Sequence, residues 1–454
     1  MAWLLAWVTL PAGGVYPAVW IPAACATFLL ATRVRPHVAW DEGVRPLDVM
    51  LILAGLLIAA QLLPLPSSIL AAIDPQSVPL RVGLWLLPPG ADLGLVRLPI
   101  SILPRQTLAA LGIFAAAALL FWTCRQICEA GGTGRIVRAI AVIGMIASIA
   151  AIIQTAENKE LLYGFWKPQD AGARPYGPFV NRNHFATWVI MASPLVFGHL
   201  LARAPAARDG QPLLQRVVAA AEQLGSIRIW LAASVCVMTL AVLISTSRSG
   251  LIGLMAAFAA SALFSRGRHQ PHTRRWTIFQ GVLLAAVVLT FANFDSLMMR
   301  VDETLAPQGA DRGRQAIWHD TLRVIHDFPV TGTGAGTYGA AIITYQTAEP
   351  GYAIGQAHNH YLQLAAEGGM MVGVPALLAC ACFAWLSRRR LADDLSANVL
   401  VRAGAIAGVA GVLVQSIWET GLRMPANAML FAVLAAIATH ASAASTHGHR
   451  AQPC

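Results

Sequence analysis

Long apolar runs recur along the chain at roughly 15–32, 47–64, 106–123, 136–153, 184–202, 227–246, 249–265, 276–293, 361–386, 399–417 and 426–441. A helix needs about 20 apolar residues to cross a bilayer core of about 30 Å. The pattern therefore predicts an all-α polytopic membrane protein with about 11–12 transmembrane helices, the count turning on the short run Met1–Leu10. It also divides the chain: N-terminal helices with one outer loop (1–153), central helices (154–293), a large loop containing short helices (294–360), C-terminal helices (361–441) and a polar tail (442–454). Within the large loop, Asp311–His326 places Ile317, Trp318, Leu322, Val324 and Ile325 at helical spacing and reads as an amphipathic helix.

Composition sharpens this picture. Hydrophobic residues make up 57% of the chain and charged ones 12%, with a mean hydropathy of +0.60. Soluble domains carry about 25% charged residues, so a water-soluble enzyme and a disordered chain are both excluded. The net charge of +10 would suggest nucleic acid in a soluble protein. In a membrane protein, arginines in short loops instead mark the cytoplasmic side. Five such groups, at Arg33–Arg45, Arg125–Arg138, Arg203–Arg228, Arg266–Arg275 and Arg388–Arg402, fall on one side if the spans alternate. That side is cytoplasmic, which puts Pro64–Pro104, Gln154–Asn183 and Phe294–His360 outside. The seven cysteines show neither a disulfide framework nor zinc spacing. Met-Ala-Trp-Leu-Leu lacks the basic start of a signal peptide.

The chemistry is expected on the outer face. Arg248 sits in Ser-Thr-Ser-Arg-Ser-Gly, a tight turn between two apolar helices. A guanidinium near hydrocarbon depth costs about 2.5 kcal/mol or more unless it snorkels or pairs, and its fixed fork suits a phosphate or diphosphate. Arg314 opens the amphipathic helix, where a solvated basic residue is the plain alternative. His358 and His360, in Ala-His-Asn-His-Tyr-Leu-Gln with Asn359 between them, lie where the loop re-enters the membrane and suit a general base or polar anchor. They do not form HExxH, so no metal is expected. Tyr176–Thr187 brings Arg182 and His184 to another boundary, with Asn as a helix cap. Gly334, Gly336 and Gly339 formally give GxGxxG, but no strand or βαβ unit surrounds them; glycines there suit the close approach of a ligand or another loop. Glu367, two turns into the next helix, needs a partner. Glu419 and Arg423, four apart, read as a local ion pair at least as readily as a catalytic element. No pair of outer acids has comparable context, so the cluster is expected to hold an anion.

Five segments in order resemble the O-antigen ligase and polymerase superfamily of bacterial envelope glycosyltransferases. They are Gly177-Pro-Phe-Val-Asn-Arg-Asn-His-Phe-Ala, Ser245-Thr-Ser-Arg-Ser-Gly, Arg314 before Trp318, Asp327-Phe-Pro-Val-Thr-Gly-Thr-Gly-Ala-Gly, and His358-Asn-His-Tyr-Leu-Gln. The likeness runs roughly from Gly177 to Met429. It departs from the family where Gly369-Met-Met-Val-Gly373 places its second glycine one position late, which bears on local packing. The resemblance implies transfer of a glycan from an undecaprenyl-diphosphate-linked donor to lipid A–core or a growing glycan. Transfer would occur at the periplasmic face of the bacterial inner membrane, among membrane lipid, with no metal, cofactor or nucleic acid. It implies Arg248, Arg314 and His358 as catalytic residues; Arg182, His184, Asn359, His360 and Glu419, read from their own places at the outer boundary, are expected to bind substrate. Protein O-glycosylation is the alternative within the superfamily. A polysaccharide or lipid transporter is the alternative outside it, disfavoured by the absence of a visible internal repeat and of mid-membrane charge.

Overall fold

The computed structural model describes residues 1–38, 43–87, 97–157, 161–169, 173–203, 226–265, 310–347, 354–396 and 398–441. Its membrane-type helices are α1 (Ala2–Thr9), α2 (Pro17–Val34), α3 (Arg45–Ala60), α6 (Pro104–Glu129), α7 (Thr133–Glu157), α8 (Arg182–Ala202), α9 (Ser226–Ile244), α10 (Arg248–Phe264), α13 (His360–Asp393), α14 (Val399–Gln415) and α15 (Pro425–Thr439). Among the described residues, six helices are long and apolar enough to cross a membrane, and α10, α14 and α15 are shorter apolar helices. The chain is an all-α polytopic membrane protein. The short run at the N-terminus is a helix of eight residues, and the span expected at 276–293 lies outside the described residues, as does the tail.

The remaining elements lie between spans: α4 (Ser67–Ile73), α5 (Ser77–Gly83), α11 (Ala310–Asp327) and α12 (Tyr338–Ala341). A two-stranded antiparallel ribbon, β1 (Pro64–Pro66) with β2 (Arg97–Pro99), pairs Leu65 with Leu98. The amphipathic helix expected at 311–326 is α11. It shares a small apolar core with α5 and α12, built on Leu80, Val324, Phe328, Tyr338 and Ile342.

Helix α8 is the centre of the bundle. Every residue from His184 to His199 is buried, and Trp188, Ile190, Met191 and Leu195 are at most 1% exposed. Between apolar helices in lipid, close backbone approach replaces the hydrophobic drive. Gly408 of α14 illustrates this, because a Cβ there would meet the Met191 carbonyl at 2.7 Å.

At one end of the bundle the basic loops are tied into buried polar networks. Arg125 grips Asp48 with both guanidinium nitrogens, at 2.8 and 2.7 Å, and Trp122 donates to the same carboxylate at 2.9 Å. Arg402, 1% exposed, pairs with Asp394 at 3.2 Å and donates to the Ala438 and His440 carbonyls at 2.7 and 3.1 Å, closing the C-terminus of α15. At the opposite end α8, α10, α13 and α15 begin. Asn181, Ser247 and Asn359 cap the first three by accepting N–H groups of the first turn, all three from motif segments whose polarity is conspicuous in the sequence. The chemistry is to be sought at this second end.

Candidate active site

Asn183 joins three elements. Its amide nitrogen donates to Glu419 Oε2 at 2.6 Å, and its amide oxygen accepts from the Ser247 hydroxyl at 2.7 Å. Ser247 also accepts the Gly250 N–H at 3.1 Å, so the start of α10, and with it Arg248, is fixed from α8. Arg182 holds the preceding turn, donating to Thr246 Oγ1 at 2.8 Å and the Ser245 carbonyl at 3.3 Å. Arg174 and Arg248 are both near enough to Arg182 to act on it as like charges. Three guanidinium groups thus share one region, and Arg174 and Arg248 are exposed.

His358, like Thr246 beside Arg248, is held in a strained backbone conformation. Its φ is +48°, in the left-handed region that a histidine seldom occupies. Such a conformation persists where the surroundings over-determine it, a pattern that clusters at functional sites. Here the flanks are pinned on both sides. The Ala357 N–H donates to Gln363 Oε1 at 3.0 Å, its carbonyl accepts the Trp318 indole N–H at 3.0 Å, and the His360 N–H donates to Ser416 O at 2.9 Å. Asn359 meanwhile accepts the Tyr361 and Leu362 N–H groups at 3.0 Å. Because residues four apart share a helix face, Arg314 lies about 6 Å along α11 from the Trp318–Ala357 contact. The loop histidine and the amphipathic helix are one structural unit.

Glu419 lies in the turn between α14 and α15 and is 1% exposed. Its Oε1 stands 3.8 Å from both His184 Nε2 and His358 Nδ1. Burial pushes its carboxyl up, but His358, His184 and the Thr420 N–H outweigh that and bring it down to about 2. The local Glu419–Arg423 ion pair expected from their spacing does not form. Arg423 instead reaches Glu367 Oε2 at 2.7 Å, because the 3-10 turn Gly421–Arg423 turns the guanidinium away from Glu419. No pair of outer acids stands out in the sequence, yet Glu367 and Glu419 are both buried at this end of the bundle, each drawn in from a different segment.

The glycine-rich segment has its own anion. Gly336 N–H and Tyr338 N–H donate to the two oxygens of Glu367, at 2.8 and 3.2 Å. The loop therefore commits these amides to the protein's own carboxylate rather than to a phosphate. It also packs against a break in α13 at Gly369, where φ is +54° and ψ is −157°. Past that break, Met370 and Met371 N–H donate to the Pro329 and Val330 carbonyls at 2.9 Å each. Gly369 is thus a fixed kink in α13. Gln61 fastens the loop from the N-terminal third, donating to Thr331 O and Glu367 O at 2.9 Å each and accepting the Ala335 N–H at 2.9 Å. Asp74 adds a second fastening, accepting the Thr331 hydroxyl, with burial as the main influence pushing its carboxyl up.

The sequence-based set is therefore placed as follows. Arg182, His184, Arg248, His358, Asn359, His360 and Glu419 surround the junction of α8, α10, α13 and the 416–424 turn, and Arg314 adjoins it through Trp318. Sequence reasoning missed Asn183, Gln61 and Arg174, of which Asn183 had a signal in its place between Arg182 and His184; Glu367 and Arg423 were singled out, but not as partners of each other. Residues 233–377 match the family model Wzy_C, described as O-antigen ligase. This stretch, about a third of the chain, is similar to the O-antigen ligase family. It runs from α9 into α13 and includes Arg248, Arg314, His358 and Glu367. It is narrower than the resemblance read from the motifs, leaving Arg182, Asn183, His184, Glu419 and Arg423 outside. No curated protein matches the chain.

Proposed function

We propose that the chain is a glycosyltransferase of the inner membrane that moves a glycan from an undecaprenyl-diphosphate carrier to an acceptor hydroxyl at the periplasmic face, with inversion and without a metal. The observation that carries this reading is the meeting of the Arg174–Arg182–Arg248 region with a strained, pinned His358 at one end of a membrane bundle whose central part matches O-antigen ligases.

The acceptor oxygen forms a bond to the anomeric carbon while the bond from that carbon to the diphosphate oxygen breaks. The acceptor proton passes to His358, a contribution of about 10²–10⁴-fold for a positioned base. Negative charge grows on the departing diphosphate, where preplaced guanidinium groups stabilise the transition state more than the ground state. Arg248 and Arg314 fill that role. Arg182 sets the Arg248 turn and adds positive potential. His184, Asn359, His360 and Glu419 shape the acceptor side. A ligase, a polymerase and a protein glycosyltransferase share this chemistry and differ in the acceptor.

Deletion followed by analysis of surface polysaccharide tests the assignment. Loss of capped lipopolysaccharide with carrier-linked polymer retained identifies a ligase, and accumulation of single repeat units identifies a polymerase. Unaltered surface glycans and unaltered glycoproteins would refute the function.

A further inference from the structure

Glu419 is too deeply enclosed to be a mere contact for a sugar. Its side chain is 1% exposed, its Oε2 is taken by Asn183 at 2.6 Å and its Oε1 accepts the Thr420 N–H at 3.2 Å. His358, by contrast, is 35% exposed on its side chain, and the nitrogen it turns toward Glu419 is Nδ1, at 3.8 Å. That nitrogen is itself buried and has no hydrogen-bond partner. The other ring nitrogen, Nε2, therefore belongs to the part of the ring left for an incoming molecule. A neighbouring carboxylate of this kind selects the tautomer of an imidazole and stabilises the imidazolium that forms when it takes a proton. At 3.8 Å the two groups are adjacent but beyond hydrogen-bond distance, and catalytic contacts of this kind tighten when substrate is bound.

We propose that Glu419 is a positioning residue: it holds His358 with the proton on Nδ1 and the lone pair of Nε2 facing the acceptor hydroxyl, without itself touching the reacting atoms. This rests on the reading of His358 as the base and extends it. During transfer the acceptor proton goes to Nε2, Nδ1 keeps its own, and Glu419 stays ionised opposite the resulting positive ring. Asn183 holds the second carboxylate oxygen, so the carboxylate cannot rotate away. A further cation nearby, Arg423, is committed to Glu367 at 2.7 Å. His184, on the far side of the same oxygen at 3.8 Å, is 3% exposed and cannot meet an acceptor directly.

The test uses the full chain in nanodiscs, with a polyprenyl-diphosphate-linked glycan as donor. Glu419→Gln keeps the shape but removes the charge and the tautomer preference. The expected result is a kcat lower by about 100-fold or more with the donor KM changed less than about threefold, and partial recovery in Glu419→Asp. A loss carried by KM, or an unchanged kcat, would overturn the proposal. Independently of any variant, ¹⁵N-histidine spectra of the wild-type protein are expected to show neutral His358 protonated on Nδ1. Protonation on Nε2 would overturn it even if no variant folds. His358→Gln separates the two ideas: full activity in that variant refutes the base itself, whereas an inactive His358→Gln beside a fully active Glu419→Gln refutes only the positioning role.

Discussion

Replacing Gly369 by alanine should loosen the junction between the glycine-rich segment and α13, while the same change four residues later at Gly373 should not. Gly369 has φ +54° and ψ −157°, a region open essentially to glycine alone, so a side chain there costs about 1–3 kcal/mol in backbone strain. A Cβ would also stand 2.5 Å from the Val330 carbonyl oxygen and 2.7 Å from the Gly332 nitrogen, both of them backbone atoms with little freedom to yield. The hydrogen bonds at stake run from Met370 to Pro329, from Met371 to Val330 and from Thr333 to Ala366, at 2.9, 2.9 and 3.0 Å. At about 0.5–1.5 kcal/mol each, loss of two adds about 1–3 kcal/mol. The sum is about 2–6 kcal/mol. For a chain of this length that is roughly 2–6 °C of thermal midpoint, since larger proteins move by fewer degrees per kcal/mol. A methyl group at Gly373 would have nothing within 4 Å of it, so Gly373→Ala should be neutral or stabilising by up to about 1 kcal/mol. Thermal unfolding in detergent, followed by fluorescence-detected size exclusion, compares the two. Equal midpoints for both variants would refute the account of the kink.

Three further outcomes follow from the buried charges. Glu419 ionises at about 2 in the folded chain against an ordinary 4.5, a depression worth about 3 kcal/mol. Because a depressed acid stabilises the fold above its unfolded value, that contribution is complete above about pH 4.5 and is lost as pH falls toward about 2; thermal midpoints of wild type and Glu419→Gln should converge on acidification across that window. Arg125→Ala should cost about 3–5 kcal/mol by leaving the buried Asp48 carboxylate without its cation, and replacing both by leucine should recover most of it, as read from thermal midpoints. Arg402→Met should destabilise comparably, since it strips Asp394 of its partner and the end of α15 of its donor; unfolding of the variant at the wild-type midpoint would contradict that.

Much of the architecture could be read directly from the sequence because lipid imposes a simple rule, that a spanning segment be helical and apolar for about 20 residues. Hence α2, α6–α10 and α13–α15 fall where the apolar runs are, and α11 where the amphipathic pattern is. The site was legible only where a residue type is expensive in its context: Arg248 between two apolar helices, and the histidines at the lip of α13. What joins these groups was not legible. Asn183 contacts Ser247 and Glu419 across 64 and 236 residues of chain, and Gln61 reaches the glycine loop across 270. Such contacts depend on helix packing, which no local pattern encodes. Glu419 and Arg423 show the converse error: their spacing fits a helical ion pair, but the segment is a 3-10 turn, and the two side chains part to different partners.

The central claim is that the arginines and histidine at this end of the bundle transfer a lipid-linked glycan. Purified chain in nanodiscs, supplied with undecaprenyl-diphosphate-linked glycan and acceptor, measures it directly. Release of undecaprenyl diphosphate together with glycosylated acceptor is expected. Arg248→Ala and Arg314→Ala should each slow turnover by about 10²–10³-fold while keeping the wild-type thermal midpoint. Full-rate transfer by Arg248→Ala would contradict the account.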